Sequence, residues 1–225
     1  MVQGLAERIA NVREMVEKAA ESAGRERGSV RLIAVSKTHP AEAIRDAREL
    51  GLIAFGENKV QEAEGKITEL GRGFAEWHLI GHLQSNKARK AVRLFDVIQS
   101  LDSIELAARL ERICEEEVRE SLKVLIQVDL GGEATKNGAR EEELPALVEF
   151  VSGCRRLELA GFMTLPPYFE DPEDVRPYFR RLRNIRDKFV PGGELSMGMS
   201  HDFEVAVAEG ATIVRVGTAI FGERH

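Results

Sequence analysis

The sequence has few cysteines, few aromatic residues and no long apolar run. Only Cys114 and Cys154 occur among 225 residues, without paired spacing, so neither a disulfide framework nor a cysteine zinc site is expected. No apolar run approaches the roughly 20 residues of a transmembrane helix. The first 20 residues mix Glu, Arg and Lys and have no apolar segment typical of a secretion signal. We therefore expect a cytoplasmic protein.

Positive charge is not in excess either. The chain has 38 acidic and 32 basic residues, a formal net charge of -6, so no global field would attract nucleic acid or anionic lipid. The basic segment 86–93 has no interleaved aromatic residues and is interpreted as a solvated helix face. We expect no nucleic-acid partner and no membrane partner. An acidic small ligand would need a locally positive pocket.

Eight apolar segments with β-branched residues alternate with segments of helical periodicity. The strands are expected at 30–36, 51–56, 77–81, 95–100, 123–130, 157–164, 194–200 and 211–217. Strict alternation implies parallel pairing through right-handed crossovers. Eight such units form a (β/α)8 TIM barrel if they close, whereas an open doubly wound sheet is the competitor. The count favours an α/β barrel, one domain over 1–225, with an extra helix at about 4–23.

In such a barrel the chemistry is expected at the carboxyl ends of the strands, where the loops after strands seven and eight often bind phosphate. Ser200 and Thr218 offer hydroxyls there, and Gly198 and Gly217 would let the main chain approach an anion closely. The competing interpretations are that Ser200 caps a helix starting at His201 and that Gly217 is a turn glycine. The two loops together favour phosphate.

Two basic residues accompany these loops. Alternation along 212–217 places Arg215 either in the barrel interior or among the helices, where a guanidinium needs a partner; a ligand contact is preferred over a structural ion pair.

Lys37 ends the first strand. A partly desolvated amine loses proton affinity, and the neutral amine condenses with aldehydes. An outward-facing Lys37 in a surface ion pair is at least as consistent with this stretch alone. Lysine, arginine and a phosphate cradle on one rim suggest pyridoxal phosphate.

Five longer segments carry a family resemblance. They read AVSKTHP, FGENKVQE, WHLIGHLQSNK, GFMTLPP and SMGMSHDFEVAVAEGATIVRVGTAIFGER. In this order they closely resemble the pyridoxal phosphate homeostasis proteins of the YggS/PROSC type, over nearly the whole chain. The resemblance implies the barrel of alanine racemase, which is fold type III of the pyridoxal phosphate proteins, and a monomer.

The resemblance also implies roles for individual residues toward pyridoxal 5'-phosphate. Lys37 would form the internal aldimine, a Schiff base with the cofactor. Asn58 would line the cofactor ring, and Arg215 would face the pyridine nitrogen. The phosphate-binding segments would contain Met199, Ser200, Gly217 and Thr218.

Three further positions lie near the expected pocket. His78 and His82 are four residues apart, as in a helical zinc pair, but they flank a predicted strand end and no metal site is expected. His78 is interpreted as a satisfied interior histidine near the pocket, and Met163 at the end of strand six as a second pocket residue. Asp129 stands where relatives commonly have asparagine, so the role of that strand end stays open.

The expected function is cofactor binding without catalysis. An arginine beside the pyridine nitrogen keeps that nitrogen unprotonated and weakens the cofactor as an electron sink. A racemase also needs a second acid/base, and with only Tyr168 and Tyr178 as tyrosines and FGERH directly after strand eight none is evident. We expect a non-enzymatic carrier that buffers or delivers the cofactor, with pyridoxal phosphate-dependent apoenzymes as partners. A low-activity amino-acid racemase using Lys37 and water or His82 is the alternative, and a Schiff-base aldolase of sugar phosphates ranks lowest.

Overall fold

Eight parallel strands close into a barrel in chain order. The structure is a computed structural model that describes residues 2–132 and 137–222. The strands are β1 (Arg31–Val35), β2 (Ala54–Glu57), β3 (Glu76–Leu79), β4 (Val97–Leu101), β5 (Leu122–Val128), β6 (Leu157–Thr164), β7 (Glu194–Ser196) and β8 (Ile213–Val216). The expected TIM barrel is confirmed. The open doubly wound sheet is wrong, because β8 pairs in parallel with β1 and leaves no edge.

Helices cover the outside of the barrel. They are α1 (Val2–Ser22), α2 (Ala41–Glu49), α3 (Val60–Leu70), α4 (Ala88–Leu94), α5 (Ile104–Glu116), α6 (Leu144–Ser152), α7 (Arg176–Phe189), α8 (Phe203–Ala208) and α9 (Thr218–Phe221). The extra helix expected before the first strand is α1, which packs against α8 and α9 beside the seam where the barrel closes. Over 2–132 and 137–222, no helix combines the length and apolar character needed to cross a membrane.

Alternate strand residues belong to two separate apolar clusters. One set packs with the helices, for example Ala34, Phe55 and Val214. Their neighbours form a second cluster, here called the inner apolar cluster, which consists of Ile33, Ala54, Val97, Leu125, Met163 and Ile213. Because successive side chains point to opposite faces of a strand, this second cluster fills the inside of the barrel. The barrel interior is therefore a packed core rather than a pore.

The two largest differences from the expected strand boundaries have local reasons. β2 begins at Ala54 instead of residue 51, because Gly51, at φ 85°, terminates α2 and its N–H bonds to the Arg48 carbonyl. β7 ends at Ser196 instead of residue 200, because the chain turns at Gly198 with φ 91°. The residues after Ser196 therefore belong to the loop at the barrel mouth.

Candidate functional site

The loop that carries Lys37 lies between the ends of β2 and β8. The N–H of Ser36 donates to the carbonyl of Gly56 over 3.0 Å. On the other side, a Cβ built on Gly217 would lie 3.3 Å from the Cβ of Val35. Lys37 follows β1 by two residues and is half-buried. The structure thus places Lys37 on the carboxyl-end rim, beside the loop after β8, as the sequence predicts.

Arg215 lies inside the barrel and is 2% exposed. Its guanidinium donates to Ser196 Oγ over 2.7 Å and to the Thr164 carbonyl over 2.8 Å. Both acceptors are neutral oxygens, and burial lowers the pKa of Arg215 to about 10, with the charge of Asp202 opposing that shift. A structural ion pair was the competing interpretation, and Arg215 forms none with the residues of 2–132 and 137–222. It is a buried cation with spare N–H donors.

A chain of buried side chains continues from Arg215 across the barrel. Ser196 Oγ donates to Gln99 Oε1 over 2.6 Å, and Gln99 Nε2 lies 3.0 Å from His78 Nδ1. Because the Gln99 oxygen is the acceptor for Ser196, its Nε2 is the donor, so His78 Nδ1 accepts and the ring proton sits on Nε2. That Nε2 lies 3.4 Å from Glu76 Oε1. We call Arg215, Ser196, Gln99 and His78 the inner polar chain.

Ser200 joins the loops after β7 and β8. Its Oγ accepts from the N–H groups of Gly217, at 3.3 Å, and Ala219, at 3.4 Å. The interpretation of Ser200 as the cap of a helix starting at His201 is wrong: α8 begins at Phe203, preceded by Asp202. The hydroxyl instead lies where the first N–H groups of α9 have no carbonyl of their own helix to bond. This position suits binding of an anion.

Packing alone requires a glycine at 198 and restricts position 217. At Gly198, with φ 91°, an added Cβ would lie 2.6 Å from the Ala206 Cβ and 2.9 Å from the Phe203 Cα. At Gly217 an added Cβ would lie 3.3 Å from the Val35 Cβ, a tight contact. Close packing between neighbouring elements is thus a reason for both glycines. A close approach of an anion to their main chain stays a prediction.

The other predicted cofactor residues also lie at the carboxyl ends of strands. Asn58 directly follows β2 and is half-buried, and its carbonyl would lie 2.3 Å from a Cβ on Gly81. Met199 is 38% exposed, and Thr218 is the exposed first residue of α9. The barrel therefore brings these residues to the rim that carries Lys37. Their contacts with a cofactor stay predictions.

His78 and Met163 lie deeper. Both are fully buried, His78 in the inner polar chain and Met163 in the inner apolar cluster. His78 is thus interior, as expected, but only its Nδ1 is hydrogen-bonded: its Nε2 is buried without a hydrogen-bond partner among the described residues, so the interpretation as a satisfied histidine holds for one ring nitrogen only. The pocket role of both residues stays a prediction. His82 is separate from His78: its side chain is 43% exposed, and its Nδ1 lies 3.3 Å from Asp102 Oδ2. Burial raises the pKa of Asp102, with His82 opposing.

The end of β5 shows a different chemistry. Asp129 Oδ1 accepts from the N–H groups of Gly131 and Gly132, at 3.1 and 3.0 Å, so this carboxylate holds a turn. A cavity of about 830 Å³ opens beside it, with several further carboxylates in its lining. None of the residues predicted to bind the cofactor lines that cavity. An acidic lining disfavours a phosphorylated ligand, so cavity size does not identify the site here.

A cluster of buried charged side chains lies against the main chain next to Lys37, and sequence reasoning did not predict it. Lys66, on α3, is 8% exposed and bonds to Glu57 Oε1 and Glu62 Oε1, each over 2.7 Å. Glu57 is fully buried at the end of β2 and also accepts from Ser36 Oγ. The sequence contains a signal for this cluster: Glu62 and Lys66 are spaced i,i+4, and Glu57 ends an otherwise apolar strand.

The closed parallel barrel, with the predicted site residues at its carboxyl-end rim, can now be compared with known protein families. The family described as alanine racemase, N-terminal domain, matches residues 7–225. The alanine racemase of Corynebacterium glutamicum has the same fold, with a TM-score of 0.70 at 18% identity over 99% of this chain and 62% of that chain. At this identity the comparison concerns the fold alone.

More similar relatives narrow the family. The pyridoxal phosphate homeostasis protein of Aquifex aeolicus is 46% identical over 224 residues, 97% of each chain. That of Escherichia coli K12 is 40% identical over 227 residues, covering 98% of this chain and 97% of the relative. PipY from Synechococcus elongatus, solved with PLP bound, has a TM-score of 0.84 at 42% identity, covering 97% of this chain and 100% of that chain. This chain belongs to the pyridoxal phosphate homeostasis protein family.

Proposed function

We propose that this protein binds pyridoxal 5'-phosphate as a Schiff base on Lys37 and takes part in cofactor homeostasis, without catalysing a reaction of its own. The observation that carries the proposal is Arg215, a fully buried guanidinium whose bonds go to neutral oxygens only. A buried cation of this kind is costly unless a ligand completes its surroundings. The relatives named homeostasis proteins, and PipY with PLP bound, support the same assignment.

The residues at the rim fit this cofactor. An unprotonated pyridine nitrogen is an acceptor, and Arg215 has N–H donors beyond those bonded to Ser196 and Thr164. A phosphate is an anion, and the Ser200 hydroxyl, whose oxygen accepts from Gly217 and Ala219, keeps its own hydrogen to donate to one. Lys37 lies on the same rim, two residues after Val35, the residue closest to Gly217. The chain thus supplies a partner for each polar part of the molecule.

The covalent step requires only Lys37 and the aldehyde. The bound cofactor supplies an electrophilic aldehyde carbon. Lys37 would hold the cofactor through its amine: condensation with that carbon would replace the C=O bond by a C=N bond, and the oxygen would leave with the two amine hydrogens as water.

Arg215 is also the reason to propose a carrier rather than an enzyme. Even with its pKa lowered to about 10, Arg215 is a cation at neutral pH. A cation beside the pyridine nitrogen keeps that nitrogen unprotonated, so it withdraws fewer electrons from a substrate carbon. Transamination is then disfavoured. We propose that the protein acts as a monomer in the cytoplasm and hands the cofactor to pyridoxal phosphate-dependent apoenzymes.

The test is spectroscopic. Purified protein reconstituted with pyridoxal phosphate should show the visible absorption band of the lysine Schiff base. Borohydride reduction should attach the cofactor irreversibly, and peptide mass spectrometry should locate it on Lys37. Lys37→Ala should lose the band, whereas Lys188→Ala, an exposed lysine at the far end of α7, should retain it. A colourless reconstituted wild type, or labelling at another lysine, would contradict the proposal.

An amino-acid racemase of low activity is the second candidate. The observation in its favour is the pair of His82 and Asp102 on the loops after β3 and β4, which keeps an imidazole with a carboxylate partner near the rim. Such an enzyme would exchange the α proton of an amino acid with solvent. Incubation of the loaded protein with a panel of amino acids in heavy water separates the two: deuterium at the α carbon, lost in His82→Gln, would favour the racemase.

A further inference from the structure

The cluster of Lys66, Glu57 and Glu62 holds the main chain on both sides of Lys37. Before Lys37, the carbonyl of Ser36 accepts from Lys66 Nζ over 2.7 Å, and the Ser36 hydroxyl donates to Glu57 Oε1 over 2.6 Å. After Lys37, the N–H of the next residue donates to Glu62 Oε1 over 2.5 Å. Lys66 bonds to both carboxylates. Three elements, β1, β2 and α3, thus meet at this one ammonium group.

The segment that the cluster holds has an unfavourable backbone conformation. Thr38 has φ 68°, and it is one of two residues other than glycine with positive φ in the described ranges. A β-branched residue is strongly disfavoured in this region, so surrounding contacts must maintain it. The Thr38 N–H donates to Glu62, and the N–H of His39 donates to the Ser36 carbonyl over 3.1 Å. Removing Glu62 therefore removes one of the two bonds that hold the turn directly after Lys37, the one at Thr38 itself.

The charges of the cluster depend on each other. Burial raises the pKa of Glu57, and the charge and hydrogen bonds of Lys66 oppose this shift. For Glu62 burial acts in the same upward direction, but hydrogen bonds from Lys66 and Thr38 outweigh it and lower the pKa. Lys66 thus bonds to both a fully buried and a partly buried carboxylate, and the charge of Lys59 adds to its effect at Glu62. Removing one partner of such a group is far more disruptive than the net contribution of the pair suggests.

We propose that Lys66 and Glu62 are positioning residues for Lys37: they hold the main chain before and after it, and thereby set how tightly the protein retains pyridoxal phosphate. The inference rests on the proposed function, since it assumes that Lys37 binds the cofactor. Neither residue needs to touch the cofactor. The bond can form only when the Lys37 amine reaches the aldehyde carbon at the right distance and angle. Contacts that fix the main chain of Lys37 beforehand reduce the ordering cost of binding and so strengthen retention.

The experiment compares matched variants. Lys66→Met removes the ammonium group, and Glu62→Ala removes the acceptor for Thr38, whereas Glu62→Gln retains an acceptor oxygen at that position. We expect Lys66→Met and Glu62→Ala to weaken cofactor binding by about 10- to 100-fold in a titration of the visible band, and Glu62→Gln to stay close to wild type. In cofactor-free protein, the amides of Thr38 and His39 should exchange with solvent faster in the first two variants only.

Glu209→Gln is the control for general destabilisation. Glu209 is 4% exposed and pairs with Arg176, Arg180 and Arg183 on α7, so it is the buried centre of a second charge cluster, away from Lys37. The substitution should lower the melting temperature and leave cofactor retention unchanged.

Two results would overturn the inference: cofactor binding as tight as wild type in Lys66→Met and Glu62→Ala, or an equal loss in Glu209→Gln. A wild type without the visible band would instead refute the proposed function. Amide exchange at Thr38 and His39 would then decide the positioning role on its own.

Discussion

The inside of the barrel is divided into an apolar part and a polar part. The inner apolar cluster is filled by aliphatic side chains and Met163, all of them at most 4% exposed. The residues of the inner polar chain are equally buried. On β4 and β8 they stand two positions after a residue of the inner apolar cluster: Gln99 follows Val97, and Arg215 follows Ile213. Since both parts are buried, their different chemistry gives them different roles. The apolar part stabilises the fold, whereas burying the polar part costs free energy unless each polar group has a hydrogen-bond partner or a ligand.

The largest effect is expected from making the polar part apolar. Arg215→Leu removes the buried guanidinium, and we expect cofactor binding to fall by about 100-fold or more, since a charged hydrogen bond and its orienting effect are lost. Stability should change little, because replacing a buried charge by an apolar side chain is often neutral. Titration of the visible band and urea unfolding measure the two quantities. Unchanged binding would show that Arg215 is a structural residue only.

The reverse substitution in the apolar part should act on stability alone. Leu125 is 1% exposed in the inner apolar cluster, and Leu125→Ala should lower the free energy of unfolding by about 2–5 kcal/mol through the cavity that it leaves. The folded fraction should bind the cofactor as wild type does. Urea unfolding gives the first quantity and titration under native conditions the second. A binding loss as large as that of Arg215→Leu would contradict the division into two parts.

A smaller effect concerns pH. The folded-state pKa of Glu62 lies below its ordinary value of 4.5, so below that pH the unfolded chain binds more protons at this group than the folded one. The stability contributed by Glu62 is therefore present above pH 4.5 and is lost as the pH falls toward and through the lowered value. Glu62→Gln should flatten the fall of stability in acid, measured as melting temperature against pH. An unchanged acid profile would count against an ionised Glu62 in the cluster.

Local sequence patterns predicted the elements well because apolar strands and amphipathic helices are short-range features. All eight expected strands exist, and α1 covers the predicted extra helix. The largest errors lie where a glycine with positive φ follows or interrupts an element, at Gly51 and at Gly198, because a glycine is easily included in an apolar run. The competing interpretation of Ser200 as a helix cap also failed, because α8 begins at Phe203 instead of His201.

The candidate site was predictable only in part. Lys37, Ser200 and Arg215 were predicted as site residues because strand ends of a parallel barrel share one rim and because the family segments contain them, and their contacts with a cofactor stay predictions. The side chains that hold them were not identified. Ser196 and Gln99 are 97 residues apart in the chain, and Lys66 is 30 residues from the Ser36 carbonyl that it binds. No local pattern connects such pairs.

The sequence by itself determined the eight-fold alternation of strands and helices, the charged residues available and the position of Lys37 at the end of the first strand. Only the tertiary structure decided that the sheet closes between β8 and β1, that Arg215 is buried, and that Lys66 donates to the Ser36 carbonyl directly before Lys37. The physical reason is that burial and hydrogen-bond partners depend on which distant segments meet. The alternation of residues along a strand specifies which side chains share a face. Closure of the barrel specifies which side chains of other strands and helices that face contacts.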